Sequence, residues 1–299
     1  LLVDPGHSCY RNVTRSIEVD ARVHNTCVFH PVLDELELDQ RQEDLFKSEV
    51  IGQKVDFRRS FRDGRPGPAV DRGTRMLLLE QNGRTPADRI TVVAADAAAV
   101  YGTPVERFTR IWLLIGENVL VVCDRFTFKA PCRIEWNWSL NNRDGSLEFA
   151  IESNRHLLAR RGGAGIRIVH GSRHSAFMGP LYSFMHDHYH PEPAQKGEGR
   201  PGSSQVFRWT GAEPTLGTDC LHLFLLDSSG DIDQWTVQES ASGIAVEAPG
   251  GRPNYVISSG QIGGTFSLEV TSANDRLCLL EADAGDGYRF TSSFRANHG

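Results

Sequence analysis

Apolar and polar residues alternate along much of the chain with a two-residue period, which is typical of half-buried β-strands. In "CRIEWNWSL", this alternation places Ile134, Trp136 and Trp138 on one face and Glu135 and Asn137 on the other. Because both tryptophans share the apolar face, we expect them to belong to the core, with a sugar-stacking platform as the alternative.

A β-hairpin is predicted where two apolar runs flank a set of turn residues. The segment "RIWLLIGENVLVVCDRFTF" contains such runs on either side of Gly116-Glu117-Asn118. Short strand-like segments then follow one another, each bounded by Gly, Pro, Asn, Asp or Ser: "GIRIVHG", "SQVFRWTG", "CLHLFLLDSSG", "GIAVEAPG", "NYVISSG", "GTFSLEV" and "RLCLLEA". This pattern predicts an all-β fold, a large antiparallel β-sandwich of two or more stacked sheets with few short helices.

Helical periodicity is scarce. Residues 33–50 are the main candidate, although they also alternate, and the alanine-rich residues 94–102 allow one or two helical turns. Gly and Pro cluster in residues 62–73 and 191–203, which predicts surface loops. With no internal repeat and no clear linker, we treat residues 1–299 as one domain.

Charge and hydropathy exclude two classes of partner. The net charge is -6, with both signs spread along the chain and no polybasic run, which argues against nucleic-acid binding. No apolar run reaches the roughly 18 residues of a membrane-spanning helix. A few arginines can still hold an anionic substrate locally.

The six cysteines have neither CxxC pairs nor zinc-finger spacing. Cys123 and Cys278 lie within apolar strand-like runs. We therefore expect the cysteines to be small buried hydrophobic residues.

Four stretches, taken in order, resemble the β-sandwich part of the heparinase II/III-like polysaccharide lyases. They are "LLVDPGHSCY", "TRSIEVDARVHNT", "VAADAAAVYG" and "RFTRIWLLIGENVLVVCDRF", and the recognisable landmarks cover about residues 1–142. The resemblance implies a lyase that cleaves a uronic-acid-containing polysaccharide, such as a heparan- or alginate-like glycan, by β-elimination.

The resemblance also implies a partner domain. In this family a helical α/α toroid precedes the sandwich, and the sugar chain lies in the cleft between the two. Because "LLVDPGH" reads as a strand already in progress, we expect the chain to be a fragment that supplies only part of the active site. The family further implies a periplasmic or secreted location.

Catalytic and substrate-binding residues are carried over from the matching positions. His24, in His-Asn-Thr, is the first catalytic candidate, and Tyr10 is the second; a structural role is the alternative for each. The substrate-binding candidates are Arg22, Asn25, Arg107, Arg110 and His188. For Asn25 a local structural role is favoured, and for the pair Arg107 and Arg110 a cross-strand ion pair with Glu106 or Asp124 is favoured.

A divalent metal ion, zinc or calcium, is also implied by the family. Its ligands would be His24, Asp39 (or Asp34) and Asp96, a donor set that suits a hard or borderline cation. Some relatives have His-x-His where this chain has Arg22 and His24, and this departure leaves either the metal or the base in question.

Three histidines at alternate positions in "FMHDHYHPEP" raise a separate metal hypothesis. His186, His188 and His190 would share one side of a strand, but the following Pro-x-Pro favours a loop near the cleft mouth.

Two rival functions remain open. One is a non-catalytic carbohydrate-binding module, which exposed Trp136 and Trp138 would favour. The other is a metal-dependent β-fold enzyme of another class, which His24 buried with two carboxylates would favour.

Overall fold

Strands account for nearly all of the regular structure in the part of the chain that the structure describes. The computed structural model describes residues 2, 24–32, 74–102, 104–142, 144–171, 175–184, 204–240, 243–250, 253–262, 265–273, 275–282 and 287–293. The first sheet consists of β1 (Cys27–Pro31), β2 (Arg75–Asn82), β3 (Ile90–Asp96), β4 (Val105–Ile115), β5 (Val119–Asn141), β6 (Glu148–Ile151), β7 (His156–Arg161), β8 (Ala164–His170), β9 (Ser175–Phe184), β10 (Ser204–Gly211) and β11 (Thr215–Asp227).

Within the described residues, the second sheet is a six-stranded meander. Its strands are β12 (Thr236–Glu239), β13 (Ile244–Glu247), β14 (Tyr255–Ile262), β15 (Thr265–Ser272), β16 (Asp275–Ala282) and β17 (Tyr288–Ser292). In the described residues the helical structure is limited to α1 (Ala98–Tyr101) and two 3-10 turns (Pro86–Asp88 and Ile232–Gln234). All the pairings in both sheets are antiparallel, which confirms the predicted all-β sandwich.

The long strand β5 belongs to two layers of the fold. Its first half pairs with β4 and β11 in a main path of strands ordered β2-β3-β4-β5-β11-β8-β7-β6. Its second half, from Cys132 onward, pairs with β1 and β10, and β10 in turn pairs with β9. We call the group formed by β1, the second half of β5 and β10 the upper layer.

Both faces of the main path are buried. On β11, Leu221, Leu223 and Leu225 face the core shared with the second sheet, whereas Cys220 and Phe224 face the core shared with the upper layer. Side chains that alternate along a strand can serve two cores in this way only when layers cover both faces. The fold is therefore a stack of second sheet, main path and upper layer.

The predicted strands and turns are found where the described residues cover them. The Gly116-Glu117-Asn118 turn joins β4 to β5, and α1 lies within the alanine-rich segment. Trp136 and Trp138 are only 2% and 3% exposed, which confirms their place in the core. The segments 33–50, 62–73 and 191–203 lie outside the described residues.

The cysteines behave as small apolar residues. The five described cysteines, Cys27, Cys123, Cys132, Cys220 and Cys278, are buried, as predicted; Cys9 lies outside the described residues. No helix in the described part of the chain is long and apolar enough to cross a membrane.

Candidate active site

The segment His24-Asn25-Thr26 leads into β1 and is held by hydrogen bonds from three directions. The Asn25 Oδ1 atom accepts a hydrogen bond from the backbone N–H of Ser139 at 2.7 Å. The Thr26 carbonyl accepts one from the backbone N–H of Asn137 at 3.0 Å. These bonds fix the segment to the second half of β5, and the half-buried His24 stands at its start.

Arg110 provides the second attachment. Its Nη1 donates to the Asn25 carbonyl oxygen at 2.7 Å, while Nε and Nη2 donate to the two carboxylate oxygens of Asp124 at 2.6 and 2.8 Å. Arg110 and Asp124 are register partners on β4 and β5, and both are buried. Burial alone would lower the pKa of Arg110, but the neighbouring Asp124 carboxylate raises it above its ordinary value. The structure thus places Arg110 in the favoured ion pair, and contact with a sugar stays a prediction.

Tyr101, at the end of α1, provides the third attachment. Its hydroxyl donates to the Cys27 carbonyl at 2.9 Å and lies 2.7 Å from the Thr26 hydroxyl. Because the phenol has a single proton, the Thr26 hydroxyl donates to the phenol oxygen. The helix ends at Gly102, whose φ of 72° lets the chain turn into β4. Burial raises the pKa of Tyr101, so its hydroxyl stays protonated and keeps its hydrogen bond to the Cys27 carbonyl.

A charged cluster lies on one face of the upper layer, and Trp136 and Trp138 lie on the other face. Arg208 Nε donates to Asn137 Oδ1 at 2.7 Å, and Glu135 lies 3.4 Å from Arg208 and 3.0 Å from His30. The alternation of Glu135 and Asn137 with the tryptophans predicted this face. Asn137 connects the cluster to the His24–Thr26 segment through Thr26.

Asp96 and Arg107 lie elsewhere, at a cavity of about 420 Å³ between the two sheets. Asp96 Oδ1 accepts a hydrogen bond from the Ala98 N–H at 3.0 Å, and its other oxygen lies 3.8 Å from Arg75. Arg107 lines this cavity on the face of β4 opposite to Arg110, and its Nε has no hydrogen-bond partner among the described residues. A favoured partner for an ion pair, Glu106, lines the same cavity.

The implied metal site at His24, Asp39 (or Asp34) and Asp96 stays a prediction, because only two of its three ligands are among the described residues. Within that part of the chain, the one group of three or more potential ligands at metal-binding spacing contains neither of them. Asp96 is engaged at the start of α1 and with Arg75. The third ligand, Asp39 or Asp34, lies outside the described residues, as do Tyr10, Arg22, His186, His188 and His190, so their roles stay predictions.

Sequence reasoning missed the group that does meet this spacing, which consists of His170, Cys220 and His222. The available signal was the alternation of Cys220 and His222 within "CLHLFLLD", where leucines occupy the other face. His170 is 50 residues away from Cys220 and joins the group only through strand pairing.

The fold is similar to that of solved lyase structures. No protein-family model and no curated protein matches the sequence. Two solved structures of the heparinase III BT4657 gene product match 94% of this chain at 10% and 9% identity, with TM-scores of 0.53 and 0.54. A heparan sulfate lyase HepC mutant from Pedobacter heparinus matches 99% at 13% identity with a TM-score of 0.46. This chain spans about a third of each of those chains (33%, 34% and 35%).

Proposed function

We propose that this chain is the β-sandwich part of a polysaccharide lyase that cleaves a uronic-acid-containing glycan by β-elimination. One observation carries the proposal. Three sequence landmarks that are far apart in the chain meet in a single hydrogen-bonded unit: His-Asn-Thr, Tyr101 of "AADAAAVYG", and the pair Arg110 and Asp124. The likeness to heparinase III structures supports the fold that this unit requires.

The chemistry explains why a rigidly held histidine is useful. The lyase removes the proton on C5 of a uronate, and this proton becomes acidic only when the neighbouring carboxylate is neutralised. A base takes the proton, and an acid protonates the departing O4. His24 suits the role of base or of neutralising hydrogen-bond donor, because it is half-buried and lies just before β1 rather than within it.

The residues around His24 then act as positioning residues. Arg110, Tyr101 and Asn25 hold the backbone of the segment, so their removal would displace His24. A misplacement of about 1 Å can cost on the order of 100-fold in rate. We propose that the opposing cleft wall, with the remaining catalytic groups, comes from a helical toroid of the same protein.

The rival carbohydrate-binding function loses its distinguishing feature. A stacking platform needs exposed aromatic faces, and Trp136 and Trp138 are buried. The rival metal enzyme would be favoured by His24 with two carboxylates; Asp34 and Asp39 lie outside the described residues, so this alternative stays a hypothesis. No step of the proposed reaction is assigned to a metal ion.

The test is His24→Ala in the full-length protein. We expect turnover on acidic polysaccharides to fall by at least about 100-fold, the scale of losing an acid or base group. The assay follows the ultraviolet absorbance of the unsaturated uronate product on heparan-type and alginate-type substrates.

His156→Ala is a matched control, since His156 is also half-buried but lies on β7 with its ring hydrogen-bonded to Glu239. This variant should keep its turnover. Near wild-type activity in the His24 variant would make His24 structural, and a wild-type protein inactive on every uronide tested would overturn the proposed reaction.

A further inference from the structure

Three metal-ligating side chains converge inside the fold, away from the His24 segment. Cys220 and His222 occupy alternate positions on β11, and His170 is the register partner of His222 on β8. The Nδ1 atom of His170 lies 2.7 Å from Nε2 of His222 and 3.9 Å from the Cys220 sulfur. The three potential ligand atoms all lie within 4.8 Å of one another.

The surroundings of this group are aromatic and closed to solvent. His170 and His222 are fully buried, and Cys220 is 3% exposed. The His170 ring stacks on Trp209 and meets the edge of Trp136, with ring centroids 5.6 and 4.9 Å apart. On the other side, Trp138 lies 5.0 Å from the His222 ring. Aromatic walls of this kind exclude water and favour ligands of low net charge.

Hydrogen bonding leaves this group incompletely satisfied. The Nε2 atom of His170 and the Nδ1 atom of His222 are buried, and neither finds a hydrogen-bond partner among the described residues. A buried polar atom without a partner costs about 1–3 kcal/mol, so two such atoms beside a shared imidazole hydrogen bond call for an explanation.

We propose that His170 Nδ1, His222 Nε2 and Cys220 Sγ bind one thiophilic transition-metal ion of the Cu(I) or Zn(II) class. Imidazole and thiolate together are the donors that these ions prefer. Binding releases the thiol proton to solvent, and the thiolate and two neutral imidazoles carry a net charge of -1. Cu(I) would make the site neutral, and it accepts three ligands without a water molecule, which suits these dry surroundings.

The required rearrangement is small. Metal–nitrogen distances of about 2.0–2.1 Å and metal–sulfur distances of about 2.3 Å place ligand atoms roughly 3.3–3.8 Å apart around one ion. The sulfur already lies near this range from His170, and the two rings need to separate by less than about 1 Å. The bound ion would fasten β8 to β11 in the middle of the main path and add its binding free energy to the stability of the fold.

The experiment uses the full-length protein, refolded with Zn(II), with Co(II) as a spectroscopic substitute, or anaerobically with Cu(I), because the group is closed to solvent in the folded state. We expect one ion per chain after gel filtration, and a thiolate-to-metal charge-transfer band with Co(II). Cys220→Ser should abolish the band and lower the bound metal at least about 10-fold. Cys123→Ser is the matched control, since Cys123 is equally buried in the same sheet but faces the other core.

The wild-type spectrum alone decides the matter if the Cys220 variant fails to fold. A folded wild-type protein that retains no Zn(II), Co(II) or Cu(I) would overturn the proposal. Retained Co(II) without a thiolate band, or with a band that survives Cys220→Ser and disappears in Cys123→Ser, would overturn it equally. Lyase activity plays no part in this test, so its outcome is independent of the proposed function.

Discussion

The buried ion pair between Arg110 and Asp124 should be the most sensitive point of the unit that holds His24. Asp124 is fully buried, Arg110 is 6% exposed, and two hydrogen bonds of 2.6 and 2.8 Å join them. The change Arg110→Met removes the cation but retains much of the apolar stem. It leaves the Asp124 carboxylate buried without its counter-ion and removes the donor that binds the Asn25 carbonyl.

The expected cost follows from this burial. Removing one partner of a buried pair typically destabilises a protein by about 3–5 kcal/mol, because the remaining charge is uncompensated. An exposed pair contributes only about 0.2–1 kcal/mol, which makes Arg276→Met the matched control, since Arg276 pairs with Glu269 on the protein surface. Against a total stability of about 5–15 kcal/mol, the Arg110 variant should lose a large share and the Arg276 variant very little.

A double-mutant cycle in urea tests the reasoning. Arg110→Met combined with Asp124→Val replaces the pair by apolar groups, so the double variant should be more stable than the sum of the single losses predicts, by roughly 1–3 kcal/mol. Unfolding is followed by tryptophan fluorescence. Single losses below about 1 kcal/mol, or losses that simply add, would refute the claim that the pair is held as a buried charge-compensated unit.

Two further predictions concern buried hydroxyl and thiol groups. Tyr101→Phe removes the hydroxyl that joins Thr26 to the Cys27 carbonyl and should lower the free energy of unfolding in urea by about 1–2 kcal/mol. Tyr255→Phe in the other core should lower it less. Equal losses in the two variants would contradict the role given to the Tyr101 hydroxyl. Burial raises the pKa of the Cys132 and Cys278 thiols to about 12, so above pH about 8.5 the unfolded chain releases protons that the folded chain keeps, and stability should fall as the pH rises. Thermal unfolding between neutral and alkaline pH measures this decline, which Cys278→Ala should make shallower; a midpoint independent of pH would contradict it.

Much of the fold was predictable because strand periodicity is local. The alternation in "CRIEWNWSL" correctly predicted a strand with buried tryptophans. The turn residues at Gly116 correctly predicted the hairpin between β4 and β5. The continuity of β5 was not predictable, since Pro131 separates its two apolar patterns and lacks the N–H that a sheet interior uses. The structure runs one strand through Pro131, and there β5 exchanges the partners β4 and β11 for β1 and β10. Partner choice depends on distant segments, so a local pattern cannot reveal it.

The candidate site likewise has parts that local sequence predicts and parts that depend on contacts between distant residues. His24 was identified from three consecutive letters, and an Arg110–Asp124 pair was among the expected alternatives because both lie on one predicted hairpin. The contacts of Tyr101 with Thr26 and of Arg110 with Asn25 join residues 75 and 85 positions apart. No spacing rule connects such positions, so the way in which the segment is held became visible only in three dimensions.

The positions of the two polar groups explain how one sheet could serve both proposed roles. Asp124 is the register partner of Cys220, so the ion pair on β4 and β5 and the histidine–cysteine group on β11 and β8 form one polar row across the main path. Apolar side chains in this row would stabilise the sandwich more simply, because each buried polar atom must first be desolvated. The ion pair offsets this cost because Arg110 also fixes the segment that carries His24. Within the described residues, His170 and His222 hold no such segment in place. A bound metal ion would give the two histidines a structural role. It would link β8 to β11, and β11 is the strand that pairs with β5, which carries Asp124. The polar row would then stabilise the His24 segment from the interior of the sheet. Loss of the metal should lower the stability of the sandwich without removing any group from the cleft.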